Sequence, residues 1–441
     1  MGSRNSKRAV ENSELADEVS IEKFEHHHGK YGVCKECMQQ NTGYGWCMSC
    51  NAKHFQQQFD KWTSGDSTVD KFIQNTQLNA TNCWEVLEWV PYERFFNAKY
   101  LGKGGYGTVF EANWDDGYIK RWDNETKQWS RFSYQDVVLK NLRNSKNLIE
   151  TFLEEINLQM KLNLNTYIIP CYGITRDPKT DDFMLIMKYA SDGSLRQYLN
   201  KNFKNLKWGP KLNIIRTAAE GLYNIHKANL VHKNLHSGNV VIDNGISSYI
   251  TDFGIYKPSD YESQEKPKNQ IFGVLPYVAP EVLYGEEYTQ AADIYSFGIL
   301  MNEVASEFPP YYNIPHNYNL ALQISQGYRP EIKENYTPKL ISDLIKRCWD
   351  ARPELRPTAQ ELHDVFGSWY NDYDDKKGFP ELWSQIELIE KLKASEDFSI
   401  NTSNNNKATK AYITHHQASY TSCALSFANL SQPVNASDII V

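Results

Sequence analysis

An α+β fold in two lobes, strand-rich in front and helix-rich behind, is what the 441 residues predict. Two patterns carry the prediction. From Trp89 onward short alternating segments are punctuated by glycine, as in "YLGKGGYGTVFEANW", and are followed by the buried-strand candidate "FMLIMKYA". Beyond about residue 193 apolar residues recur at three- and four-residue spacing in "KLNIIRTAAEGLYNIHK", "AADIYSFGILMNEVA", "KLISDLIKRCWD" and "TAQELHDVFGSWY", which is helical periodicity.

Composition narrows the field. The 28 Tyr, 19 Phe and 11 Trp suffice for a sizeable core. The balance of 54 acidic and 47 basic residues, net -7, does not point to nucleic acid. No apolar run reaches the roughly 20 residues that cross a bilayer. The polar start is unlike a secretory signal. A cytoplasmic, reducing compartment is therefore expected, and the eight cysteines are not read as disulfides.

In chain order, residues 1–28 are polar and end in His26 to His28, and are expected to be disordered. Residues 29–54 are Cys- and Gly-rich, and 55–91 read as helical linker pieces. The two-lobed unit is placed at 92–371, divided into 92–190 and 191–371. Within it "NLIETFLEEINLQMKL" carries Ile149, Phe152, Leu153, Ile156 and Met160 on one helical face. "YIKRWDNETKQWSRF" reads as an inserted hairpin, a structural extension first and a partner surface second. Residues 372–441 are a flexible tail with one helix, "ELWSQIELIEKLK", whose Leu382, Ile386, Ile389 and Leu392 suit packing.

The motifs carry chemistry. Gly102, Gly104 and Gly107 follow G-x-G-x-x-G spacing in a strand–loop–strand context, where glycines let backbone N–H groups approach phosphates. "VVLK" ends at Lys140, ahead of a helix bearing Glu155. A lysine held by a helical carboxylate can clamp nucleotide phosphates, and Glu155 is favoured over Glu154 by its register in the apolar stripe. "HKNLHSGN" (232–239), "DFG" (252–254) and "APE" (279–281) come next.

In this order the set resembles the protein kinase signature, itself a standard example of an ordered catalytic motif set. The resemblance covers 92–371 and implies the bilobal kinase fold, with ATP and Mg as cofactors and a protein substrate or signalling partner. It implies that Gly102, Gly104 and Gly107 cover the phosphates gripped by Lys140 with Glu155. It implies that Asn239 and Asp252 hold Mg, and that Val109, Val138 and Val241 enclose the adenine. Met187 falls at the gatekeeper position, with Lys188, Tyr189 and Ala190 as the hinge. By the same resemblance Glu281 pairs with Arg356, Asp293 braces the catalytic loop, and His232 is architectural.

Three positions depart from the pattern. Asn234 stands where the family carries the Asp that accepts the substrate proton; an amide oxygen accepts a hydrogen bond but is hardly basic. Lys233 replaces an Arg, which puts control through activation-loop phosphorylation at Tyr256, Ser259, Tyr261 or Ser263 in doubt. His236 and Val274 replace the Lys and Thr of serine/threonine kinases, and "LHSGN" looks like the tyrosine-kinase-like branch in its expanded fungal form. Two functions follow: a kinase slowed at Asn234, or a pseudokinase acting as a nucleotide-binding scaffold or allosteric partner.

Cys34, Cys37, Cys47 and Cys50 form two C-x-x-C knuckles, a spacing suited to one tetrahedral, structural zinc. An iron–sulfur site or a redox pair are the alternatives, and His54 is a spare ligand. Similar knuckles precede the kinase unit in the same fungal families. "MGSRNSKR" fits the pattern for myristoylation at Gly2, with Arg4, Lys7 and Arg8 as a basic patch for weak membrane association. An ordinary polar N-terminus is the plainer reading of the same residues.

Overall fold

A computed structural model describes residues 31–103, 107–142, 149–163, 165–252, 270–401, 412–427 and 430–438. They form two compact units. One runs to Thr166 and takes up Pro170–Tyr189; the other holds Tyr167–Ile169 and the chain from Ala190.

The first unit begins with helices α1 (Met48–Gln56) and α2 (Ser67–Asn79). Asp66 caps α2 by accepting from the Thr68 and Val69 N–H groups. A six-stranded sheet follows, from β1 (Glu88–Trp89), β2 (Phe95–Lys103), β3 (Gly107–Trp114), β6 (Gln135–Leu142), β7 (Cys171–Arg176) and β8 (Phe183–Lys188), in the order β1-β7-β8-β6-β3-β2. Strands β4 (Tyr118–Asp123) and β5 (Gln128–Phe132) make the hairpin, and helix α3 spans Ile149–Leu162.

Strand alternation decides what each face of the sheet carries. The pairings Val109↔Lys140, Val138↔Met187 and Lys140↔Leu185 put these side chains on one face. There α3 lays Phe152 on Phe183, ring centroids 5.6 Å apart. The opposite face buries Ala112, Trp114, Val137, Leu139, Met184 and Ile186 together with Trp84, Tyr118 and Phe132. Each such large side chain contributes about 1.5–3 kcal/mol on burial.

The inserted hairpin is part of this core. Gly117 closes its base at φ +63°; a Cβ there would lie 1.6 Å from the Phe132 carbonyl oxygen, so only glycine fits. Arg131 donates to Glu88 at 2.6 Å and to the Gly117 carbonyl at 2.8 Å. Trp129 stacks on Phe55 at 4.3 Å and on Trp46 at 5.8 Å, and Ile119 joins Trp46, Phe55, Ala80 and Val86 in a second cluster. The expected structural extension thus clamps the cysteine segment onto the sheet.

The second unit contains α4 (Leu195–Lys201), α5 (Trp208–Lys227), β9 (Val240–Asp243), β10 (Ser247–Ile250), β11 (Gln270–Gly273), α6 (Pro280–Tyr284), α7 (Gln290–Ser306), α8 (Tyr318–Ser325), α9 (Lys339–Cys348), α10 (Ala359–Asn371), α11 (Pro380–Asn401) and β12 (Cys423–Ser426). Ser194 and Gln197 form a capping box that starts α4. Helix α7 is buried from Ala292 to Ala305, and its apolar residues occur on all sides accordingly. Helix α11 buries Leu382, Ile386 and Ile389, whereas Leu392 is exposed. Beyond α11 the tail departs from its flexible expectation. Residues 412–427 and 430–438 lie against the same unit, with β12 antiparallel to β11. The reason is specific anchoring: the Ala351 N–H donates to Asn435 Oδ1 at 2.8 Å, and Val434 N–H to Ser325 O at 3.0 Å. Among the described residues no helix is long and apolar enough to cross a membrane.

Candidate active site

The first unit brings Lys140 and Glu155 together. Lys140 lies in β6, whose other face is core, so its side chain turns toward α3. Its Nζ lies 3.3 Å from Glu155 Oε1, and both side chains are 6% exposed. Glu154, the rival, is exposed. Breaking a pair this buried by removing one partner costs about 3–5 kcal/mol. Nearby Cys171 is no nucleophile: burial pushes its thiol up to about 12. Gly102 pairs with Val109, and Gly107 opens β3, whereas Gly104 lies outside the described residues. Val109, Val138 and Tyr189 are half-buried and Met187 is buried.

In the second unit Asp293, in the first turn of α7, organises the loop after α5. It accepts from the backbone N–H groups of His232 at 2.7 Å and Lys233 at 3.0 Å, and from His226 Nε2 at 3.0 Å. Lys233 adopts φ +66° within this turn. His232 accepts the Asn234 N–H on Nδ1 at 3.2 Å, so its Nε2–H donates to the Thr251 carbonyl at 3.1 Å. Burial lowers its pKa, which keeps the ring neutral.

Asn239 donates through Nδ2 to the carbonyls of Asn234 at 3.0 Å and Asp252 at 3.3 Å. Its amide nitrogen is thereby committed, and Oδ1 is the atom it can offer a cation. Asp252 sits at φ +63°, and its Oδ1 accepts from Thr251 Oγ1 at 3.0 Å. Val241 in β9 is half-buried and pairs with Tyr249. Phe253, Gly254, Tyr256, Ser259, Tyr261, Ser263 and Gly2 all lie outside the described residues.

Asn234 is buried, and its Oδ1 accepts a 2.9 Å hydrogen bond from the hydroxyl of Ser422. His236 stands 3.1 Å from the same hydroxyl through Nε2. Its Nδ1 accepts the Gly238 N–H at 3.0 Å, so the ring proton is on Nε2 and donates to Ser422 Oγ. Burial pulls the His236 pKa down to about 3, against a weaker opposing pull from Asp252.

Two arrangements frame this loop. Arg356 forks onto Glu281 with two 2.7 Å bonds, the side chains 0% and 4% exposed. Arg196 reaches Glu303 at 2.8 Å, Tyr277 Oη at 2.8 Å and Ser237 Oγ at 2.9 Å, and Tyr277 also donates to Glu303. The Arg196 cluster and Ser422 were not among the candidates from sequence. Glu303 is an acidic residue in the otherwise apolar run of α7, a weak signal; Arg196 sits in a largely polar helix and Ser422 in the tail, and neither carries one.

The four cysteine sulfurs lie within 4.8 Å of one another, with Cys34–Cys50 at 3.8 Å and Cys37–Cys47 at 3.6 Å. A tetrahedral zinc with about 2.3 Å Zn–S bonds requires sulfurs about 3.8 Å apart, so the four thiols fit it. Cys37 is already drawn down to about 7, chiefly by a hydrogen bond from the Gln39 backbone. His54 is committed elsewhere: it meets Glu36 at 3.0 Å and stacks on Trp122 at 3.9 Å.

A family profile described as protein tyrosine and serine/threonine kinase matches residues 96–366. A probable serine/threonine-protein kinase of Dictyostelium discoideum is 27% identical over 312 residues, covering 66% of this chain and 16% of that protein. A tyrosine-protein kinase of Girardia tigrina is 26% identical over 271 residues, covering 60% of this chain and 51% of that one. A second probable serine/threonine-protein kinase of D. discoideum is 29% identical over 278 residues, covering 62% and 40%. The chain therefore spans about half or less of the length of these relatives.

Proposed function

Because this chain belongs to the protein kinase family, matching it over residues 96–366, we propose that it binds Mg-ATP and transfers the γ-phosphoryl group to a protein hydroxyl at a rate lowered by Asn234. The buried Lys140–Glu155 pair carries the nucleotide half of this reading. Mg-ATP supplies the phosphoryl group and neutralises its charge when bound. Lys140, oriented by Glu155, grips phosphate oxygens. Gly102, Gly104 and Gly107 offer backbone N–H groups to the phosphates, while Val109, Val138, Met187, Tyr189 and Val241 contact the base. Asn239 Oδ1 and the Asp252 carboxylate hold the cation. Asn234 orients the acceptor hydroxyl but takes no proton from it, which forfeits a general-base contribution of about 10²–10⁴ in rate. Positioning and charge neutralisation, which supply most of the acceleration in phosphoryl transfer, remain.

A second reading, a nucleotide-binding scaffold without turnover, is favoured by one observation: the atom at the proton-acceptor position is an amide oxygen already holding a hydroxyl. Thermal shift separates nucleotide binding from turnover. At a hundredfold excess over its dissociation constant, Mg-ATP stabilises the wild type by about 2.7 kcal/mol, and Lys140→Met abolishes the shift. A wild type that does not respond sinks both readings.

The four cysteines hold a structural zinc under this proposal, and the knuckle serves to present or dock the kinase unit. Relatives named for serine/threonine and for tyrosine kinases are both close, so the acceptor class is left as a protein hydroxyl; "LHSGN" favours affinity to the tyrosine-kinase-like branch. Gly2 is the candidate lipid acceptor, which the intact mass of protein from a myristoylating host decides.

A further inference from the structure

The segment 412–427 is seated on the loop that carries Asn234. Strand β12 runs antiparallel to β11, with Cys423 opposite Gly273, Ala424 opposite Phe272 and Leu425 opposite Ile271. One residue before β12, Ser422 is 7% exposed. Its hydroxyl donates to Asn234 Oδ1 at 2.9 Å and receives the Nε2–H of His236 at 3.1 Å. Two residues earlier, Tyr420 lays its ring against the Arg196 guanidinium at 4.2 Å and donates its hydroxyl to the Pro310 carbonyl at 2.9 Å. Further back, the His316 N–H donates to the Gln417 carbonyl at 3.1 Å and the His415 N–H to the Tyr312 carbonyl at 2.8 Å. The segment is thus held by backbone pairing on one side of Ser422 and by an aromatic anchor on the other.

We propose that this segment is a built-in occupant of the acceptor-peptide site, with the Ser422 hydroxyl in the place of an acceptor hydroxyl. The inference rests on the proposed function in one respect, the assignment of position 234 to the acceptor. The seat binds an extended strand that pairs with β11, with an aromatic side chain two residues before a small hydroxyl residue. An external protein segment of that class has to displace the tail to enter.

The seat holds the hydroxyl without activating it. Asn234 Oδ1 receives the hydroxyl proton as a hydrogen bond and is not basic enough to remove it. The unprotonated nitrogen of His236, Nδ1, takes the Gly238 N–H and is not directed at Ser422. Both partners act as holders, so the contact is a lock rather than a reaction. A tethered segment also presents itself at about millimolar effective concentration, which a free peptide has to overcome.

The test uses the full-length chain and two readouts. Amide hydrogen exchange should show 270–273 and 423–426 protected together in the wild type, and both accelerated at least tenfold in Ala424→Pro and, independently, in Tyr420→Ala. A fluorescein-labelled peptide spanning residues 416–429 should bind either variant at least tenfold more tightly than the wild type. Equal peptide binding by wild type and Tyr420→Ala overturns the proposal. So does exchange at 423–426 in the wild type as fast as in the free peptide. Mg-ATP thermal shift on the same samples keeps the two claims apart. A wild type that protects 423–426 and excludes the peptide, yet ignores Mg-ATP, leaves the seated tail standing and removes the nucleotide reading. The opposite pattern removes the tail alone.

Discussion

Trp129→Ala tests whether the hairpin fastens the cysteine segment to the sheet. Trp129 is half-buried, stacks on Phe55 and Trp46 and meets Trp122 edge-on at 5.0 Å. An aromatic of this size covers about 150–250 Å² when fully buried. Half of that, at about 25 cal/mol per Å², amounts to about 2–3 kcal/mol. Ring stacking adds about 0.5–1.5 kcal/mol for a pair, and the freed rotamers return about 1 kcal/mol. The net expectation is about 1.5–3.5 kcal/mol, felt as local opening because the main sheet core is untouched. Amide exchange over residues 46–58 should accelerate about 10- to 400-fold, while β6 and β8 keep their protection. An acceleration of less than about threefold over 46–58 would refute the clamp.

Three further outcomes follow from the same geometry. Zinc analysis of the intact chain should give one metal per chain, lost in Cys37→Ser, with the Trp46–Phe55–Trp129 cluster loosened in the exchange pattern; full metal content in Cys37→Ser would refute the four-thiolate site. Arg356→Met should cost about 3–5 kcal/mol in denaturant unfolding, because it strands the Glu281 carboxylate in the interior; a cost below about 1 kcal/mol would show that the pair is not structural. Acid should unfold the second unit early: burial lowers the pKa of His232, and of His236 to about 3, so both rings fold neutral. The unfolded chain takes up their protons below about 6.5, so stability is full above that pH and falls by about 1.4 kcal/mol per unit per ring as pH drops toward the folded value. His236→Asn should flatten that slope by one proton, and an unchanged slope would contradict the burial argument.

What the sequence disclosed follows the range of the interactions involved. Lys140 and Glu155 were legible because strand alternation and helical register are local, and each points its residue to a predictable face. The cysteine pairs were legible because a knuckle is a local turn. The hairpin could be read as a hairpin from its alternation, but its partners Trp46 and Phe55 precede it by more than a helix and a half, so its purpose was not readable. The tail is the extreme case. Its Asn- and Ser-rich approach has the composition of disorder, and its contact with Asn234 bridges 188 residues. Nothing periodic marks Ser422 or Tyr420; their places exist only once the loop after α5 and strand β11 are folded. Arg196 was not legible for a related reason, since a cation in a short polar helix acquires meaning only when Glu303 and Tyr277 are brought to it.

On the proposed reading Lys140 and Glu155 hold the nucleotide, while Asn234 cannot take the acceptor proton. Phosphotransfer from radiolabelled Mg-ATP, compared between the wild type and Asn234→Asp, decides this, with Tyr420→Ala in both backgrounds to empty the seat. Transfer should be slow or absent in the wild type and rise by about 10²–10⁴ in Asn234→Asp. Equal rates in the two chains, with the seat emptied and Mg-ATP bound, would contradict it.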